Sequence, residues 1–210
     1  MYLSRVELNQ FRRKTQQALA SPHIMHGMVE ASFPKSSDRQ RTLWRLDSFR
    51  GALHLLLLSH DRPDLSHVVE NCGWGDCDQE WVTRNYDGFL ESLQTGQVWR
   101  FRLCANPVHS VGCGDNERGT VYAHVTVEQQ MKWLYDRAGK NGFDISGGAD
   151  IVARDVKEFK RGGARVTIGT AAFEGVLTVT DSVLFRNALV NGIGRAKAYG
   201  CGLLTLAVYK

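Results

Sequence analysis

Two histidines, His23 and His26, lie three residues apart in the segment that runs from Pro22 to Phe33. Met25, Met28, Val29 and Phe33 recur there at helical spacing, so the segment reads as a helix with both imidazoles on one face. Proline is well placed at the start of such a helix. With a pKa near about 6.5, an imidazole can give or take a proton at neutral pH. A positioned acid or base contributes roughly 10²–10⁴-fold to a proton-transfer reaction. RNA needs no more than such a pair, because its 2′-hydroxyl is a nucleophile already next to the scissile phosphate. The alternative is two ordinary histidines, partly buried or facing solvent. A metal site would need further ligands, and no HExxH motif accompanies the pair.

A second segment, Asn191 to Leu203, interleaves Gly192, Gly194, Gly200 and Gly202 with Arg195, Lys197 and Tyr199. It follows a predicted helix and precedes a predicted strand. This order excludes a Rossmann fingerprint or a P-loop, which both run from strand into helix. Two readings stay open. In one, the segment is a long connection with Gly192 as a left-handed helix cap. In the other, the glycines let backbone N–H groups approach a phosphate and the cations add charge, making the loop part of an RNA-facing surface.

Charge is spread unevenly. The formal net charge is only +4, yet no acidic residue follows Asp181, while Arg186, Arg195, Lys197 and Lys210 do. Arg154, Lys157, Lys160, Arg161 and Arg165 form another basic run, offset by Asp155 and Glu158. Either run alone suits a solvated face; together they point to a phosphate-binding surface. The turn Lys160-Arg161-Gly162-Gly163 tips a long hairpin, which reads as a charged, soluble edge or as a finger laid on a duplex backbone.

His67, Cys72, Cys77, His109 and Cys113 are spaced too irregularly for a typical zinc site. Cys72, Cys77, Cys104, Cys113 and Cys201 contain no CxxC pair, which suits reduced thiols in a cytoplasmic protein. The N-terminal residues alternate apolar and polar and lack a signal core, and the apolar run Leu55–Leu58 is far too short to span a bilayer. Trp44, Trp74, Trp81, Trp99 and Trp133 read as core residues.

Several elements must position these groups. Residues 2–9, 43–46 and 52–58 read as strands, 76–93 as irregular or weakly helical, and 97–104 as a further strand. Pro107, Gly112, Gly114 and Gly119 place a boundary at 108–119. The second half continues as strand 121–125, a helix 127–137 capped by Thr126, strands 143–159 and 164–179, a helix capped by Asp181, and strand 203–208. Each half then reads strand–helix–strand–strand–helix–strand. The fold class is α+β: two tandem ferredoxin-like (RRM-like, βαββαβ) domains, 1–107 with the histidines and 120–210 with the basic hairpin and glycine loop, joined by a linker.

Several of these stretches also match one family in order: Met1–Asn9, the Pro22…His26 helix, Leu43-Trp-Arg-Leu46, Arg100–Pro107, Phe173–Leu177 and Gly192–Leu204. End to end, the chain resembles the CasE family, the CRISPR repeat-processing endoribonucleases of type I-E Cascade. The resemblance implies metal-independent cutting, with no cofactor, at the base of a repeat stem-loop, leaving a 5′-hydroxyl and a 2′,3′-cyclic phosphate. It implies as partners the CRISPR repeat RNA hairpin and the other Cascade subunits, with no membrane. His26 matches the family's catalytic histidine. The family often has a tyrosine three residues earlier, where this chain has His23. Lys160, Arg161, Arg195 and Lys197 match basic positions used against RNA. Arg165 belongs to the same hairpin, and Arg12, Arg13, Lys35 and Arg137 are further cations for RNA grip, since Gly27 and Ala31 stand where family members carry basic residues.

Overall fold

A computed structural model describes residues 1–35, 40–75, 81–113, 117–145 and 147–209. The acidic stretch 76–80, with Cys77, and the residues Gly114 and Lys210 lie outside the described residues.

The first half builds one antiparallel sheet from β1 (Tyr2–Leu8), β2 (Leu43–Phe49), β3 (Ala52–Ser59) and β4 (Trp81–Asn85), in the order β2-β3-β1-β4. Between β1 and β2 come α1 (Arg13–Ala20) and α2 (Pro22–Ala31), and between β3 and β4 comes α3 (Ser66–Cys72). This is the βαββαβ order of a ferredoxin-like unit. The alternation in β1 buries Ser4, Val6 and Leu8 on one face, and the Ser4 hydroxyl meets that of Thr83 at 2.9 Å, so the one polar member of the row is satisfied. Met25 and Val29 of α2 are fully buried in this core with Leu55, Leu57 and Trp44.

The second sheet runs β11-β5-β10-β8, with β9 also paired to β10. Its strands are β5 (Val98–Ala105), β8 (Phe143–Asp144), β9 (Ala149–Arg161), β10 (Ala164–Val179) and β11 (Leu204–Val208). Helices α5 (Val127–Ala138) and α6 (Ser182–Asn191) pack on it through Trp133, Leu134, Phe185 and Leu189. Thr126 caps α5 with a reciprocal capping box, and the Asp181 carboxylate accepts from Val183 and Leu184 to cap α6, as expected. Gly162 and Gly163 both take positive φ, 55° and 84°, the requirement of a tight hairpin turn.

Four expectations need correction. The strand expected over 143–159 is two, β8 and β9, each paired separately with β10. Residues 97–104, read as the closing strand of the first half, are β5, which hydrogen-bonds to β10 and β11 in the second sheet. The strand that closes the first sheet is β4, inside the stretch read as irregular; its side chains are half-buried or exposed, so no alternation marked it. The expected linker 108–119 and strand 121–125 instead form a hairpin of β6 (Val108–Cys113) and β7 (Glu117–Ala123), an insertion between β5 and α5. The short α4 (Asp87–Glu91) leads from β4 toward β5.

The two sheets are joined through Arg45, which is 2% exposed. Its guanidinium donates to the carbonyls of Arg102 and Leu203 at 2.9 and 2.8 Å, to the Thr205 hydroxyl at 2.7 Å, and to both oxygens of Asp47. Leu43, Leu58 and Leu203 form a small apolar cluster at the same junction. No helix among the described residues is long and apolar enough to cross a membrane.

Candidate nucleic-acid interface

α2 places His26 on the flank of its buried Met25–Val29 stripe, with the imidazole 31% exposed and Nδ1 3.9 Å from Glu30. His23, one turn earlier, is exposed. The ring of Tyr199, from the glycine-rich segment, meets His26 edge-on with centroids 6.4 Å apart. Tyr199 also packs on Phe159 of β9, centroids 4.9 Å apart, and its hydroxyl accepts from Arg161 at 3.2 Å. Two segments singled out in the sequence, the hairpin and the glycine loop, therefore converge on His26.

The hairpin does not stand free. Lys157 Nζ reaches the Leu19 carbonyl of α1 at 3.4 Å, and Phe159 is buried, so one face of β9 rests on the first half. Lys160, Arg161 and Arg165 are exposed on it. Arg165 forms an ion pair with Glu158, which offsets part of its charge.

The glycines serve the fold more directly than an open phosphate cradle would. A Cβ at Gly200 would stand 2.8 Å from the Trp44 ring, one at Gly194 3.0 Å from Trp133, and one at Gly192 2.9 Å from Leu43. Gly200 and Gly202 are buried. Gly192 ends α6 with its N–H on the Ala188 carbonyl, but at φ 71° and ψ 159° it is not the left-handed cap expected. The chain turns back there instead, so that Ile193 N–H reaches the Gly202 carbonyl at 2.9 Å. The loop is also anchored to β5, where the thiols of Cys201 and Cys104 hydrogen-bond and Gly202 N–H reaches the Cys104 carbonyl at 2.7 Å. What the loop offers outward is its cations. Arg195 is exposed and Lys197 half-buried; burial lowers the Lys197 pKa, and the charge of Arg41 lowers it further.

Arg195 leads into a second basic feature, a cleft of about 400 Å³ between the β6–β7 hairpin and α5. Arg195 donates to the Ser110 hydroxyl at 3.3 Å, and Arg137 lies over the Trp133 ring at 4.1 Å. Burial pushes the Arg137 pKa down, and the Arg195 charge adds to this while Asp136 opposes it. His109 stacks on His124 at 4.8 Å. The pKa of His124 is depressed by burial first, then by His109 and Arg137. The Asp136 carboxylate is already engaged by Lys132 at 3.0 Å. Like charges held together in a partly dry cleft favour an anion between them.

Other expected cations stand apart from His26 in role. Arg12 holds α3 through the Glu70 carbonyl at 2.6 Å, and Lys35 is exposed beyond the end of α2. Of the irregular histidine–cysteine group, His67 is bonded to the Met28 carbonyl at 2.9 Å and Cys72 is fully buried. Among the described residues no three His, Cys, Asp or Glu side chains could hold a metal ion together. Trp44 and Trp133 are core residues as expected, whereas Trp74 is 45% exposed. Arg41 and His124 carry no mark in the sequence, whereas Tyr199 stands among the loop cations and His109 belongs to the irregular histidine–cysteine group.

Comparison with known proteins gives consistent results. The sequence pattern of the family described as CRISPR associated protein matches residues 1–207. The CRISPR-associated endoribonuclease Cse3 of Thermus thermophilus is 28% identical over 222 residues, covering 99% of this chain and all of the relative. The Cascade subunit CasE of Escherichia coli K12 is 34% identical over 123 residues, 55% of this chain and 60% of the relative. Among solved structures, Thermus thermophilus Cse3 bound to an RNA representing a pre-cleavage complex superposes with a TM-score of 0.81 at 28% identity, covering 99% of this chain and 98% of the other. Cas6e of Escherichia coli K-12 gives a TM-score of 0.68 at 25% identity, covering 99% of each chain.

Proposed function

Because the chain belongs to the CRISPR-associated protein family, we propose that it is a CasE-type endoribonuclease that processes precursor CRISPR RNA. It binds the hairpin of a CRISPR repeat and cuts at its base. The observation that carries this reading is the partly exposed His26 imidazole, met edge-on by Tyr199 of the glycine segment, whose hydroxyl accepts from Arg161 of the basic hairpin. The solved pre-cleavage RNA complex of Cse3, a relative of the same fold and length, supports it.

In the reaction, the 2′-hydroxyl of the nucleotide 5′ to the cut loses its proton to a base and attacks the adjacent phosphorus. The P–O5′ bond breaks, and an acid protonates the departing O5′. The products are a 2′,3′-cyclic phosphate and a 5′-hydroxyl. His26 is one of the two groups, and His23, one helical turn away, is the second imidazole of the pair. Lys160, Arg161, Arg195, Lys197 and Arg137 grip the phosphates, and Arg12, Arg165 and Lys35 add to the basic field. After cutting, the chain stays on its product as a Cascade subunit, a reading supported by the name of the Escherichia coli relative. The site of action is the cytoplasm, where the precursor RNA is made.

The test is to incubate the pure protein with labelled repeat hairpins in EDTA and to map the cut. Cleavage should persist in EDTA and vanish when the cut nucleotide is 2′-deoxy. A hairpin bound tightly but left intact would point instead to a non-catalytic RNA-holding subunit.

A further inference from the structure

Tyr199 ends a 3-10 turn, Lys197–Tyr199, whose backbone is held at both sides. Ala196 before it takes a left-handed conformation, φ 59°, which a non-glycine residue adopts only when its surroundings enforce it. Gly200 after it sits so close to Trp44 that no Cβ fits, which seats the turn on the first core. The Tyr199 ring is thus delivered to a defined place, edge-on to His26, tilted against Phe159, with its hydroxyl on Arg161. One side chain joins the helix of the acid–base residue, the glycine segment and the basic hairpin.

We propose, on the endoribonuclease reading above, that Tyr199 is a positioning residue for His26. An acid–base group must be held within roughly 0.5 Å and 10–20° of its working geometry. The orientation of an imidazole is set by two side-chain torsions, and packing against the ring fixes both. The Tyr199 ring bounds it on one side, and Glu30 lies 3.9 Å from Nδ1. The hydroxyl of the same ring accepts from Arg161, so the ring also touches the basic hairpin. The elements packed against α2 also bring charge to this neighbourhood, with Lys157 and Arg161 on β9 and Lys197 on the 3-10 turn.

The experiment compares the full-length wild type with Tyr199→Ala and Tyr199→Phe in single-turnover cleavage across pH, alongside binding to an uncleavable 2′-deoxy hairpin. Tyr199→Ala is expected to cut about 10²-fold more slowly, the scale of a misplaced catalytic group. Its hairpin affinity should be nearly unchanged, and the limb of the pH–rate profile that reports His26 should move. Tyr199→Phe keeps the ring and restores most of the rate and the profile. If Tyr199→Ala does not fold, Tyr199→Leu replaces it, filling the space without an aromatic edge. A wild-type rate and profile in the truncated variant overturns the proposal, as does a rate loss fully matched by lost affinity. Should the wild type not cut at all, the endoribonuclease reading fails, and NMR titration of the His26 imidazole without RNA decides this one. A titration shifted by Tyr199→Ala and restored by Tyr199→Phe sustains the contact; an unmoved titration removes it.

Discussion

The Arg45 guanidinium closes on the Asp47 carboxylate with two hydrogen bonds, 2.9 and 2.6 Å long, at the junction of the two sheets. Its remaining N–H groups bond to β5, to Thr205 of β11 and to the Leu203 carbonyl just before that strand. Arg102 also bonds Asp47, at 3.0 Å, so Arg45→Ala does not leave the carboxylate uncompensated, but it strips the buried Leu203 carbonyl of its donor. A buried polar group left unsatisfied costs about 1–3 kcal/mol, and Arg45→Ala should lose stability on that scale. Urea denaturation reads the difference; a variant as stable as the wild type would show that the junction is held by its leucines alone.

His26→Ala should lower the single-turnover cleavage rate by roughly 10²–10⁴-fold. Its affinity for the repeat hairpin should hardly change, because the phosphate-gripping cations remain. Parallel cleavage and filter-binding assays separate the two effects, and loss of affinity without loss of rate would contradict the assignment.

His23→Phe addresses the second imidazole. If His23 works with His26, the variant loses one limb of the pH–rate profile along with most of its rate. A profile unchanged in height and shape removes His23 from the mechanism.

Arg161→Ala, Arg195→Ala and Lys197→Ala should each weaken hairpin binding across repeat sequences and reduce the slope of log K against log salt by about 1. The same change at Arg12, whose guanidinium bonds to the Glu70 carbonyl, should act on stability more than on the slope. Titrations at several salt concentrations check both statements.

Gly200 and Gly27 sit in opposite environments. Gly200→Ala forces a Cβ against Trp44 at φ 81°, and overpacking of this kind costs about 1–3 kcal/mol. Gly27, next to His26 in α2, has open space around it, so Gly27→Ala should gain about 0.5–1 kcal/mol. Thermal melting of the two variants tests the contrast.

Acid should loosen the β6–β7 cleft. Burial, helped by His109 and Arg137, holds the His124 pKa below its ordinary 6.5. The unfolded chain therefore binds this proton more readily, and stability declines as pH falls from about 6.5 through the folded value. His124→Asn should show a flatter stability curve between about pH 7 and 5, measured by urea midpoints at each pH.

Local chemistry made much of this molecule legible in advance. Alternation marked β1 and β5 as strands, paired glycines marked the β9–β10 turn, and Thr126 and Asp181 marked helix starts, because each signal is complete within a few residues. The spacing of His23 and His26, the two cation runs and the glycine segment were likewise visible as candidate site pieces. Partnership was not. Nothing within residues 98–105 says that its ladder lies with β10 and β11 rather than with β1, since strand pairing depends on hydrogen bonds to distant segments. Only the packed chain shows that the glycines make room for Trp44 and Trp133, that Arg45 clamps the two sheets, and that Tyr199 arrives beside His26. Those contacts join residues far apart in sequence, and they exist because burial and register, not spacing along the chain, decide which side chains meet.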